Sequence, residues 1–251
     1  MLSTKVIESD EVESRFAHSY PRSAESPGHS WASLYRVGGL AALAVVALIP
    51  IQAAVVILWP PPTTVLEYFS TFQSNPLLGL LDLDLLLIVD QLLIIAVLLA
   101  LYAALRHSDP SLMLLGTALG VIGAVLFIVS REATFSMLFL SQQYGPASSE
   151  ADRAALLAAG QTLLTTYNGT AFILGYCLSG VAMLLVSMVM LRGNLFSRAT
   201  GIAGVLAGVT GLVPANFGTL GLALAFISLL PLMAWLALTG RRLLQTAANS
   251  V

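Results

Sequence analysis

The stretch Leu81-Asp82-Leu83-Asp84-Leu85-Leu86-Leu87-Ile88-Val89-Asp90-Gln91 sets three carboxylates and a carboxamide into an aliphatic run. Acids are costly in hydrocarbon, and where they occur they pair with a cation, hold a proton or contact a solute. Helical geometry separates these three. At about 100° per residue, Asp84, Gln91 and Tyr102 fall on one side, and Asp82 and Asp90 lie roughly 80° apart on another. The acids form no single stripe, so an acid–base dyad from this segment alone is not expected. Depth separates them further. Asp82 and Asp84 lie within about two turns of Leu77, where the run begins, while Asp90 lies about 20 Å in, near mid-membrane. Asp82 and Asp84 are read as groups that reach headgroups or pair with a cation. Asp90 has two readings. It is a hydrogen-bonded acid that packs helices, or it belongs to an intramembrane polar site with Gln91, Tyr102, Tyr167 and Asn168.

A second charged pair, Arg131 and Glu132, follows the apolar run that begins at Ser111. Twenty residues at 1.5 Å each place it about 30 Å along, at the opposite boundary of the hydrocarbon and level with Asp82 and Asp84. Arg131 is expected to pair with Asp84 or Asp82, so that Asp82, Asp84, Arg131 and Glu132 make a set of outer-interface ion pairs. The alternative is side chains that snorkel separately. Gln161, Thr165, Thr166 and Thr170 either line a polar cavity with Asp90 or supply hydrogen bonds between helices, and the second reading is the simpler. The match of Asn168-Gly169-Thr170 to a glycosylation sequon is set aside, because it falls within an expected span.

No other constellation carries chemistry. The histidines, His18, His29 and His107, sit in a polar tail or a turn, and Cys177 is the single cysteine. That leaves no metal-ligand cluster, disulfide framework or phosphate-binding loop. The single lysine is Lys5, so no span offers an amine for a Schiff base. With no nucleophile–base pair to name, an enzyme is not the first reading. No cofactor is expected, although a bound lipid or quinone at the outer acids remains open.

The elements that must position these groups follow from composition. Of 251 residues, 57% are hydrophobic and 10% are charged, and the net charge is −2. Too few charges remain to cover a water-facing surface, and there is no basic field for nucleic acid. The pattern specifies an all-α polytopic transmembrane bundle with the lipid bilayer as its partner. Six spans are expected, at about 35–59, 77–106, 111–131, 163–191, 199–213 and 219–238, within a domain of 35–245. Pro60-Pro61-Pro62 stops the first, His107-Ser108-Asp109-Pro110 the second, and Pro50 and Pro231 are expected to kink the first and last. Glu67, Tyr68, Phe69 and Phe72 mark 63–76 as interfacial. Residues 1–34 form a polar tail, disordered or docked on a partner such as another membrane subunit, and 246–251 form a short C-terminal tail. Lys5, Arg15, Arg22, Arg36, Arg106, Arg192, Arg198, Arg241 and Arg242 fall on one side, and Arg131 and Arg153 on the other. That bias places both termini in the cytoplasm. No cleavable signal peptide is expected.

Several motifs carry a resemblance. They are Asn75-Pro76-Leu77-Leu78 with the acidic run after it, Leu99-Ala100-Leu101-Tyr102-Ala103-Ala104-Leu105-Arg106 and Ala158-Ala159-Gly160-Gln161. Further along come Tyr167-Asn168-Gly169-Thr170-Ala171-Phe172, Val189-Met190-Leu191-Arg192, Phe196-Ser197-Arg198-Ala199-Thr200 and Arg241-Arg242-Leu243-Leu244. Together they resemble the DUF4386-like family of bacterial six-helix membrane proteins, over about residues 35–245. The resemblance implies that topology and a bacterial inner membrane, and it supplies no mechanism. Three functions stay open at this point. The first is a structural or interaction subunit of a larger membrane assembly, and the second a small-solute or proton-linked carrier or channel using Asp90. The third is a membrane enzyme or lipid- or quinone-binding protein.

Overall fold

The structure is a computed structural model that describes residues 31–80 and 84–250. Most of the polar tail and Asp82 therefore lie outside the described residues. Every regular element among those described is helical: α1 (Ala32–Leu58), α2 (Val65–Ser74), α3 (Pro76–Leu80), α4 (Leu86–Leu105), α5 (Pro110–Ser130), α6 (Glu132–Tyr144), α7 (Glu150–Tyr167), α8 (Thr170–Arg192), α9 (Arg198–Thr210) and α10 (Gly218–Asn249).

Local chemistry sets the helix ends. The Asp109 carboxylate accepts the Leu112 N–H at 3.1 Å, and Pro110 occupies the first turn of α5, where its missing N–H costs nothing. Ser149 caps α7 by accepting the Asp152 N–H, and Ser197 caps α9 by accepting the Thr200 N–H. Thr64 and Glu67 form a reciprocal capping box at α2. The two backbone N–H groups at Thr63 and Thr64 hold the fully exposed Glu67 carboxyl below its ordinary range. Both α1 and α10 remain single helices through Pro50 and Pro231.

Six helices close a ring in the order α1, α4, α5, α8, α9, α10 and back to α1. Antiparallel alternation puts Arg36, Arg106, Arg192, Arg198, Arg241 and Arg242 at one end, here the Arg106 end, and Arg131 at the other. Large aliphatic side chains such as Leu40, Leu92, Ile122, Ile202 and Leu230 face outward. That is the surface of a membrane-embedded protein, because an apolar exterior is stable only against lipid.

Of the expected six spans, five have counterparts among the described residues that are helical segments long and apolar enough to cross a bilayer: Ala32–Leu58, Leu86–Leu105, Pro110–Tyr144, Glu150–Arg192 and Gly218–Asn249. The remaining ring member, α9, has 13 residues and is about 20 Å long, short of a hydrocarbon core of about 30 Å. Boundaries shift too. The expected span at 77–106 has α3 near its start and α4 over the rest, with residues 81–83 outside the described residues; that at 163–191 breaks at Asn168-Gly169, and α10 runs on well past 238.

The third and fourth long segments project beyond the ring at the Arg131 end. There α6 and α7 form a hairpin, and α2 lays its aromatic face on it. Tyr68, Phe69 and Phe72 pack with Met137, Leu157 and Leu164 into a core separate from that of the ring. The aromatic interfacial segment is thus one wall of a small helical cap.

Glycines set how closely the ring closes. A Cβ on Gly175 of α8 would lie 2.9 Å from both the Gly123 carbonyl oxygen and the Phe127 amide nitrogen of α5, and neither backbone atom can yield. Overpacking of this kind costs about 1–3 kcal/mol. Gly175→Ala is therefore expected to lower the thermal unfolding midpoint in detergent by about 3–8 °C. Gly145→Ala, whose Cβ would meet only the Gln73 side chain at 3.7 Å, should leave it unchanged. Equal midpoints for the two variants would contradict this packing.

Candidate functional site

Two acids in one helical run meet opposite fates. Asp84 sits in a wide turn leading into α4 and is fully buried. Its Oδ1 accepts from Arg131 Nη1 at 3.0 Å and from the Tyr167 hydroxyl at 3.0 Å, and its Oδ2 accepts from the Thr134 hydroxyl. Arg131 is the single residue between α5 and α6. Its Nε donates to Ser130 Oγ at 3.0 Å. Its second terminal nitrogen, Nη2, is buried with no hydrogen-bond partner. The guanidinium instead lies over three rings, 3.8 Å from the Tyr167 centroid, 4.8 Å from Phe127 and 5.0 Å from Phe172. Aromatic faces attract a desolvated cation, so this cage offsets part of the missing hydrogen bond. Nearby in the cap, burial first and the Asp84 charge second push the Tyr68 phenol up to about 12.

Asp90 stands six residues on, about 9 Å deeper into the ring by helical rise. It borders a cavity of about 190 Å³ to which all six ring helices contribute. From α4 come Asp90, Gln91 and Ile94, from α5 Phe127, and from α8 Tyr176, Ser179 and Met183. Ser228 and Leu232 come from α10, Val45 from α1, Ala207 from α9, and Gly211 from the turn just after it. The Asp90 Oδ1 is buried and accepts no hydrogen bond. Among the described residues, no lysine, arginine or histidine lines the cavity.

The remaining expected residues separate. Gln91 joins Asp90 at the cavity, but Tyr102 and Tyr167 do not. Tyr102 lies twelve residues further along α4, about 18 Å away by helical rise, packed toward the Arg106 end. The Tyr167 hydroxyl is taken by Asp84. Asn168 is exposed at the α7–α8 joint, where its carbonyl accepts from Asn216 Nδ2 at 2.9 Å. Asp90 is the fifth residue of α4, on the Arg131 side of that helix's midpoint. Glu132 is exposed in the first turn of α6, where a negative charge suits the helix dipole, and among the described residues it makes no ion pair. The Thr165 and Thr166 hydroxyls donate to carbonyls of their own helix. Sequence reasoning passed over Thr134, Phe127, Phe172, Tyr176, Ser179 and Ser228. Thr134, one turn from Arg131, carried the only local signal.

The Asp84–Arg131 pair yields a double-mutant prediction. Breaking a buried pair by removing one partner costs about 3–5 kcal/mol, because the other charge is stranded, whereas apolar replacement of both can be nearly neutral. Asp84→Leu and Arg131→Met should each lower stability by that order, and the double variant should recover at least half of it. Chemical denaturation in mild detergent reads the cycle. Additive losses would show that the two side chains do not act as a pair.

No curated protein and no solved structure matches the chain. A family model described as a domain of unknown function, DUF4386, matches residues 37–242. That match takes in all six ring helices, the cap and both acids, and the chain belongs to the DUF4386 family.

Proposed function

We propose that the protein is a carrier or channel for a small solute, with the ring cavity as its binding site and Asp90 as the group that contacts the solute. The observation that carries this reading is a carboxylate with one buried, unpartnered oxygen on a residue that borders a cavity lined from every helix of the ring. A buried polar group without a partner costs free energy, and a protein keeps one where a ligand or water completes it. An interaction subunit, the reading that sequence placed first, needs no such group. The lipid or quinone reading relied on Asp82, Asp84 and Arg131 being available at the interface. Asp84 and Arg131 are engaged with each other, and their side chains are 0% and 3% exposed.

The same reading takes α9, extended by the turn after it, as a sixth and shorter crossing element. Both ends of the ring domain then lie at the Arg106 end, on the cytoplasmic side of a bacterial inner membrane.

Two measurements test it. In a Cys177→Ser background, Ser179→Cys should react with a small membrane-impermeant thiol reagent from at least one side, while Leu92→Cys, which faces outward, should not. In proteoliposomes, counterflow with a panel of small amines, amino acids and sugars should reveal a transported solute. Asp90→Asn should reduce that flux at least tenfold. An inert Ser179→Cys, or no flux of any panel member through the unmodified protein, would end this reading.

A further inference from the structure

We infer that the solute held at Asp90 is a small organic monocation, a protonated primary amine on a compact apolar or aromatic body. The inference rests on the solute-site reading above and adds the chemical class. Charge balance is its first support. Among the described residues, Asp90 is the one acid on the cavity wall, and no basic side chain lines it. A monocation neutralises the site. A dication would leave an uncompensated positive charge in a low-dielectric interior, and an anion would add repulsion to the cost of desolvation.

The wall supplies the second support. Phe127 and Tyr176 border the cavity, and the ring of each is tilted against that of Phe172 with centroids 5.7 Å apart in each case. Ile94, Met183 and Leu232 add aliphatic surface. This lining solvates hydrocarbon. A bare metal cation of the hard type needs a shell of oxygens at short range and gains nothing from such a wall. Among the described residues, no group of three or more His, Cys, Asp or Glu side chains that could hold a metal ion is present. Aromatic faces also attract an ammonium group, so the same rings serve both halves of the ligand.

Donor and acceptor counts give the third. An ammonium offers three N–H donors and no acceptor. The residues that border the cavity include the carboxylate of Asp90, the carboxamide of Gln91 and the hydroxyl of Ser179, all with acceptor oxygens. The Ser228 hydroxyl already donates to the Ala225 carbonyl at 2.7 Å, which leaves its lone pairs to accept. Size is compatible as well. A cavity of about 150 Å³ holds one benzene, and the volume here is about 190 Å³.

Calorimetric titration of the full-length protein in nanodiscs tests the class with four probes: benzylamine, its neutral isostere benzyl alcohol, benzoate and sodium chloride. Benzylamine should bind at one site and raise the unfolding midpoint. Benzyl alcohol should bind at least tenfold more weakly, and benzoate and sodium should not compete. Asp90→Asn should weaken benzylamine at least tenfold. Because that variant could lose binding by misfolding, it is paired with Ile94→Trp, which fills the cavity and keeps the acid. Both should elute as the parent does, and both should lose benzylamine. Benzyl alcohol binding as tightly as benzylamine, with no effect of Asp90→Asn, would overturn the cationic class. Sodium binding that is lost in Asp90→Asn would replace the amine by a metal cation. Absence of benzylamine binding beside a reactive Ser179→Cys and Asp90-dependent flux would refute the amine class alone. An inert cavity without flux would remove the solute site itself.

Discussion

A carboxylate inside hydrocarbon must find a cation, a set of donors or a ligand, and the architecture is arranged around that constraint. Asp84 meets it with protein groups alone. Arg131 comes from the joint between α5 and α6, Thr134 from the first turn of α6, and Tyr167 from the end of α7. One side chain thereby ties the entry to α4 to the two segments that rise out of the ring. The cap held over the Arg131 end by α2, α6 and α7 is attached to the ring through this knot as well as through chain connectivity. Its own aromatic core then needs only to hold three helices to each other.

The geometry around Arg131 also explains how the pair tolerates burial. A guanidinium has five donors, more than one carboxylate and one serine can satisfy. The surplus points into Tyr167, Phe127 and Phe172. Phe127 serves twice, since it also borders the cavity that holds Asp90. The ionic knot and the ring cavity therefore share Phe127 as a common wall residue. On the other sides, close glycine contacts between α5 and α8 fix how near those helices come, and so fix the space left between them.

Much of this was legible in the sequence, and the limits of legibility have physical causes. Proline triplets, an Asp-Pro helix start and runs of aliphatic residues mark helix ends directly, because capping and steric rules are local. Arg131 was expected to pair with Asp84 or Asp82 because all three had to lie at one boundary by length alone. The cavity was not legible beyond Asp90 and Gln91. In a membrane bundle the lipid-facing and ring-facing sides of a helix are equally apolar, so no periodicity shows that Ser179, Tyr176 or Ser228 turns inward. Tyr167 was misplaced for the opposite reason. The break at Asn168-Gly169 moves it out of the spanning helix and up to the level of Asp84.

What separates the two acids is therefore partnership, and partnership has a thermodynamic signature. Thermal unfolding of Asp84→Asn and Asp90→Asn, measured side by side in the same detergent with no added solute, tests it most directly. Neutralising Asp84 strands the Arg131 cation and should lower the midpoint by at least about 6 °C. Neutralising Asp90 removes an uncompensated acid and breaks no hydrogen bond at its Oδ1, so the midpoint should stay within about 2 °C of the parent or rise. A loss at Asp90 as large as that at Asp84 would contradict the account, since it would make Asp90 a second structural acid and not the open group of a solute site.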